Sequence, residues 1–269
     1  MRNSSHLTRR EFLRASVCTA AGLCLAACAK SSPTVPTPAS YYVANKARIV
    51  KELDPVIRQM RKFTAQSYGE SLAATMVSEA MQEFERLLPQ LPYIGGDKNS
   101  LTDTLAQSAG ALAFYRVMKA HGTLRAVEET GRIIYQTAEA MAFRTDAFSS
   151  VSEKMAQGKA AQNGFKRMAT WSQQRAYPDD WVLTFVEGNG KAFDFGVDYT
   201  ECGIVKFYHA QGADELAPYL CLGDFPISQA LGTGLVRTTT LARGGSRCDF
   251  RFKNGRPIQM EWTPDFLKE

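Results

Sequence analysis

Apolar residues recur at helical spacing from residue 41 to about 174 and at every second position soon afterwards, so a helical part precedes a sheet part. In residues 47–63, Val50, Leu53, Ile57, Met60 and Phe63 fall on one stripe, the buried face of an amphipathic helix. Pro55 marks an early turn or a kink there. Residues 71–88 repeat the pattern with Leu72, Met76, Met81, Phe84 and Leu88, and the Pro89, Pro92 and Gly95-Gly96 breakers end it. A third helix is predicted from the cap-like Ser100-Leu101-Thr102-Asp103 to Gly122, and two more over residues 123–143 and 145–171. The small face Ala109-Gly110-Ala111 suits close helix packing.

Composition shifts near Tyr177-Pro178-Asp179-Asp180. Residues 181–187 form a candidate strand that closes in a Gly188-Asn189-Gly190 turn, and Phe193, Phe195, Val197 and Tyr199 then alternate with other residues. A period of two on both sides of a glycine turn predicts a hairpin. Short helices are expected over 202–211, 215–220 and 226–230, with strands over 235–242, 248–252 and 257–262. The expected fold class is α+β, a helical layer followed by a small, mostly antiparallel sheet with short helices.

The first 40 residues have a different character. Thr8-Arg9-Arg10-Glu11-Phe12-Leu13-Arg14 precedes an uncharged apolar run, residues 15–27, too short to span ~30 Å of hydrocarbon. An arginine pair before such a run fits a twin-arginine export signal. The run ends in Leu25-Ala26-Ala27-Cys28, which resembles a lipoprotein processing site with Cys28 as the lipid acceptor. The alternative is cleavage to a soluble exported protein. The Ser/Thr/Pro stretch 31–38 reads as a tether and favours the anchor. The expected organisation is a signal over 1–27, a flexible tether over 28–40 and one α+β domain over 41–269, helical to 174 and cysteine-bearing from 175. Expected partners are the twin-arginine export machinery, the membrane through its lipid and a small molecule. The expected location is the cell envelope, with the domain facing the periplasm or the exterior.

Removing the signal lowers the net charge from +5 to +2. That balance, without a basic run interleaved with aromatics, argues against nucleic-acid binding. Three cysteines remain besides Cys28, namely Cys202, Cys221 and Cys248, an odd number for an oxidising compartment. They allow one disulfide plus a free thiol, or one metal site. Cys221-Leu222-Gly223-Asp224 has chelate-loop spacing, so Cys202, Cys221, Asp224 and Cys248 are the candidate zinc ligands. His209 lies seven positions beyond Cys202, too far along one helix to share an ion with it, and is read with His121 as a partly buried histidine. Trp171, Trp181 and Trp262 are read as core or cleft wall.

The stretches Glu201-Cys202, Cys221-Leu222-Gly223-Asp224, Thr238-Thr239-Thr240-Leu241-Ala242-Arg243-Gly244 and Cys248-Asp249-Phe250-Arg251-Phe252 resemble the L-2-amino-thiazoline-4-carboxylic acid hydrolase family. The resemblance implies hydrolytic opening of a cyclic C–N or C–S amidine-like ring. A second resemblance, to the small-ligand domain of vinyl-reductase-type proteins, implies zinc held by cysteines. Where that pattern has a cysteine four residues before Gly244, this chain has Thr240. On the hydrolase reading, a zinc-bound water attacks the ring carbon, Glu201 or Asp224 protonates the leaving atom, and Arg237, Arg243 and Arg247 are candidates to hold a substrate carboxylate. Cys221 is the candidate nucleophile without a metal. Glu201 and Asp249 are alternatively partners of surface arginines. Rival readings are a non-catalytic ligand-binding envelope lipoprotein and a disulfide-stabilised interaction module.

Overall fold

The computed structural model describes residues 38–142 and 158–268; the expected export signal, Cys28, most of the expected tether and the start of the fifth predicted helix lie outside them. The helical part comprises α1 (Pro38–Ala44), α2 (Lys46–Tyr68), α3 (Glu70–Leu87), α4 (Thr102–Ala120), α5 (Ala126–Ala142) and α6 (Lys159–Ser172). The expected tether therefore gives way to helix at Pro38. α2 runs through Pro55, which lies well past its first turn. Ile49 and Leu53 are buried on α2, while Val50, Ile57, Met60 and Phe63 are only partly so. Leu72, read as part of the buried stripe of α3, is exposed. Ser100 does not cap α4; Asn99 turns the chain instead, its Oδ1 accepting the Leu101 amide at 2.9 Å while its amide donates to the buried Asp180 at 2.8 Å.

The predicted hairpin is present as β1 (Val182–Glu187) and β2 (Phe195–Glu201), paired antiparallel. Then follow α7 (Gly203–Ala210), α8 (Ala217–Cys221), α9 (Asp224–Leu231), β3 (Leu235–Val236) and β4 (Cys248–Phe252). The sheet order is β1-β2-β4-β3, with every neighbouring pair antiparallel, and the fold is α+β. Register places Leu183, Tyr199 and Cys248 in one row, and Phe185, Val197 and Phe250 in the next. Because side chains alternate, this face carries the apolar residues and packs on Phe165, Met168 and Ala169 of α6. The opposite face carries Asp198, which pairs with Arg251 at 2.8 Å.

Two expected strands are shorter than the pattern suggests. β3 stops at Val236 because the Thr238 and Thr239 amides turn to the Asp249 carboxylate, at 2.8 and 2.9 Å. Residues 241–243 then form a 3-10 turn. The stretch 257–262 joins the sheet only through a bridge between Val236 and Gln259, and packs Ile258, Met260 and Trp262 over Leu222, Phe225 and Leu235. The described residues form one compact unit, and among them no helix is long and apolar enough to cross a membrane.

Candidate functional site

A cavity of about 610 Å³ lies between α2–α5 and the cysteine-bearing part. Its helical walls are almost wholly apolar, for example Leu53, Met60, Met81, Phe114 and Met141. Gly110 and Ala111 also face it, with only Leu53 and Phe84 as close as 4.0 Å to a Cβ added at Gly110. These small residues therefore leave room in the cavity, while Ala109 and Ala113 on the same helix pack in the core. The other end is built by the cysteine-bearing segments: Cys202, Cys221, Asp224, Arg237 and Cys248 all line it.

Each residue arrives on a different element. Cys202 leaves β2 and caps the start of α7, where Gly203 lets the Trp181 ring approach; an added Cβ would lie 2.7 Å from it. Tyr208 ties α7 to the helical layer by donating to the Ser108 carbonyl at 2.8 Å. Cys221 ends α8, which Pro218 helps start, and Asp224 opens α9. Cys248 begins β4 opposite Tyr199 and accepts the Leu241 amide at 3.2 Å.

Arg237 organises this end. Its guanidinium donates to Asp224 Oδ2 at 2.6 Å, to both Glu261 oxygens at 3.0 and 3.1 Å, and to the Cys221 carbonyl at 3.0 Å. Phe225 and Phe250 cover its faces, with ring centres 4.7 and 5.0 Å from Cζ. Its side chain has 0% exposure and that of Glu261 3%, whereas Asp224 keeps 42%. That carboxylate surface borders the main cavity and a smaller adjoining one of about 260 Å³. Asp224 is thus accessible to a ligand yet enclosed by protein. Burial raises its pKa above the ordinary carboxylate value, against the pull of Arg237 and with help from the Glu261 charge. Burial likewise raises the Cys202 thiol, pushes Cys248 up to about 12 and holds Cys221 well above the usual thiol range.

Several expected roles change. Arg237 is no clamp for a substrate carboxylate, because its nitrogens are already committed and it shows no surface. Arg243 stacks on Trp262 at 4.6 Å, and Arg247 turns to Asp198 at 3.5 Å on the far face of the sheet; neither lines the cavity. Glu201 also lies off the cavity wall, its carboxylate held by Lys206 and Arg175. Asp249 serves Thr238 and Thr239 rather than an arginine, its pKa pushed up by burial but brought lower overall by these donors. His209 and His121 are both exposed rather than partly buried, beside Asp214 and Glu79 respectively.

The candidate zinc ligands share a cavity without forming a coordination group. Among the described residues no three His, Cys, Asp or Glu side chains are placed to hold one ion. Asp224 is engaged by Arg237, Cys248 by a backbone amide, and Thr240 is a buried hydroxyl without a hydrogen-bond partner. This donor set does not fit a zinc centre. All three cysteines are free thiols, so neither disulfide alternative is present.

A family model described as L-2-amino-thiazoline-4-carboxylic acid hydrolase matches residues 103–252, more than half the chain, with the α2 and α3 walls of the cavity lying before it. The chain belongs to the L-2-amino-thiazoline-4-carboxylic acid hydrolase family. No curated protein and no solved structure matches it. The family match spans α4, α5 and the sheet, including the cavity's charged end from Cys202 to Cys248. Glu261 lies beyond it and escaped the sequence reading, although one carboxylate between Met260 and Trp262 in an apolar stretch was its signal.

Proposed function

We propose that this chain is a hydrolase that opens a cyclic amidine-like or amide-like C–N or C–S bond in a small molecule, with its reaction centre at Asp224. The supporting observation is the Asp224 carboxylate, among the described residues the one charged lining group with surface, at the end of the cavity that the family-matched segment builds. A carboxylate with a raised pKa is a stronger base than an ordinary one. Ionised Asp224 takes one proton from water as the water oxygen bonds to the ring carbon between the two heteroatoms and the C=N or C=O π pair moves onto its nitrogen or oxygen. A carbonyl then forms at that carbon, the nitrogen of an amidine taking the proton of the added hydroxyl. The ring C–S or C–N bond then breaks, its electron pair passes to the leaving sulfur or nitrogen, and that atom receives the proton back from Asp224. The net change is the addition of one water. Arg237 and Glu261 are positioning residues that fix the carboxylate's orientation. The buried, protonated thiols fit this water-based route better than attack by Cys221.

The proposal also places the domain outside the cytoplasm, exported by the twin-arginine route and anchored by lipid on Cys28. The Arg9-Arg10 pair and the Leu25-Ala26-Ala27-Cys28 ending support it. Mass spectrometry of the mature chain checks it, with a diacylglyceryl mass on Cys28 expected and an unmodified Cys28 contradicting it.

A panel of thiazolines and hydantoin-like rings tests the chemistry. Turnover should rise with pH through the raised Asp224 value and fall at least about a hundredfold in Asp224→Asn, the loss typical of a missing general base. Cys221→Ser should retain turnover. Unchanged rates in Asp224→Asn would remove Asp224 from the mechanism, and a dead, well-folded Cys221→Ser would restore the nucleophile route. A non-catalytic ligand-binding lipoprotein is the alternative favoured if no ring is opened while ligands still bind.

A further inference from the structure

The cavity is large, its walls are apolar, and its two charged lining residues are unequal. A volume of about 610 Å³ lies within the ~300–1,000 Å³ range that encloses drug-sized ligands, well above the needs of a five-membered ring bearing a carboxylate. Helices α2, α3, α4 and α5 supply Leu, Ile, Val, Met and Phe side chains for most of its depth. At the deep end a ligand meets the exposed carboxylate of Asp224 but not the guanidinium behind it, whose surface is fully covered. With Glu261 counted, two carboxylates share one arginine, so the cluster is already short of positive charge. Among the described residues no other cation lines either cavity.

We infer that the site takes an amphipathic molecule, with an uncharged or cationic nitrogen-bearing head at Asp224 and an apolar body along α2–α5, and not a small amino-acid anion. This rests on the proposed placement of the reaction centre at Asp224. It narrows the substrate to ring amidines or amides carrying an extended hydrocarbon or aromatic substituent. An anionic head would lose its water and find a carboxylate facing it. A cationic or hydrogen-bond-donating head completes the Asp224–Arg237–Glu261 cluster.

The test compares n-alkylamines with n-alkylcarboxylates of six to ten carbons, below their micellar concentrations, on the full chain carrying Cys28→Ser. Binding is read by fluorescence of Trp181, which lines the cavity, with Trp181→Phe as the control for that signal. Each added methylene should tighten amine binding by about fourfold, the equivalent of one buried methylene. Carboxylates of equal length should bind at least about tenfold more weakly, the scale of a lost charge-assisted hydrogen bond. Asp224→Asn should erase the preference for amines and keep the chain-length dependence. Val77→Phe, which fills the wall on α3, should cap the gain at shorter chains. Carboxylates binding as tightly as amines, or affinity independent of chain length, would overturn the inference. These readouts need no turnover. Amines bound as described with no ring opened would sink the hydrolase reading alone, whereas Asp224-dependent hydrolysis of a small carboxylate-bearing ring would sink this one alone.

Discussion

Replacing Arg237 by glutamine should be among the most damaging single changes in the sheet part. The substitution removes a fully covered guanidinium that makes four hydrogen bonds, two to Glu261, one to Asp224 and one to the Cys221 carbonyl. It also removes the cation between the Phe225 and Phe250 rings. Glu261 is left almost without access to water, at 3% exposure, and with no positive partner. Breaking a buried pair by removing one member costs about 3–5 kcal/mol, because the remaining charge is uncompensated. With a urea slope of ~3 kcal/mol per M, the unfolding midpoint should fall by about 1–2 M. Asp224, whose pKa burial already raises, loses its cation as well, so the cost should be largest near pH 7 and shrink toward about pH 4.5 as that carboxylate takes up its proton. The double variant Arg237→Met/Glu261→Gln should recover much of the loss, since it removes both members of the buried pair. Urea unfolding of the three proteins, followed by circular dichroism at both pH values, measures this. A loss under about 1 kcal/mol, or an equal loss at both pH values, would refute the picture of a buried cation serving two carboxylates.

Four further outcomes are expected. Asp224→Asn should match or exceed wild-type stability at neutral pH: a raised folded-state pKa makes ionisation costly, so wild type loses stability as pH rises from the ordinary ~3.9 through the raised value, and denaturant titrations across that window detect the difference. Asp249→Ala should cost about 1–3 kcal/mol by releasing the Thr238 and Thr239 donors; because its pKa is lowered, that stabilisation is present above ~3.9 and fades as pH falls through the folded value, which thermal melts along a pH series would show. Gly131→Ala should destabilise by about 1–3 kcal/mol, since its Cβ would lie 2.3 Å from the Tyr219 ring, whereas Gly164→Ala on α6, with nothing within 4 Å, should stabilise by up to about 1 kcal/mol; melting temperatures moving in the same direction would contradict this contrast. Elemental analysis of chain purified without chelator should show well under one zinc per molecule, and stoichiometric zinc would mean that the cysteines and Asp224 adopt a different arrangement.

The elements were legible where one short-range period dominates. The alternation from Phe193 to Tyr199 and the glycine turn before it predicted the hairpin, because inward residues of a half-buried strand must recur at every second position. The stripe on α2 was equally plain, but its burial was overestimated: Ile57 and Met60 border a cavity instead of filling a core, and periodicity cannot distinguish the two. Spacing could bring Cys202, Cys221, Asp224 and Cys248 into view as a set, and they do line one cavity. It could not tell which polar groups compete for one another. Glu261 takes the Arg237 fork that the sequence reading reserved for substrate, and Asp198 draws Arg247 to the other side of the sheet. Those choices depend on how the chain leaves each strand: Arg237 follows β3, Arg247 precedes β4 and Glu261 lies beyond the sheet, and spacing does not fix such turns.

The same burial bears on the unpaired cysteines. On the proposed export three thiols would face oxidation, and the species that reacts with oxidants and disulfides is the thiolate. Cys221 is held well above the usual thiol range and Cys248 is pushed up to about 12, while the helix-start amides at Ile204 and Val205 pull Cys202 the other way without overcoming its burial. At neutral pH these cysteines are therefore overwhelmingly protonated, on the wall of an apolar cavity that also limits access by polar oxidants. A disulfide or a bound metal is then not required for them to persist outside the cytoplasm. The odd cysteine number that first suggested a ligand set is better accounted for as three small, weakly polar side chains. They shape the cavity end around Asp224, the carboxylate proposed above as the reactive group.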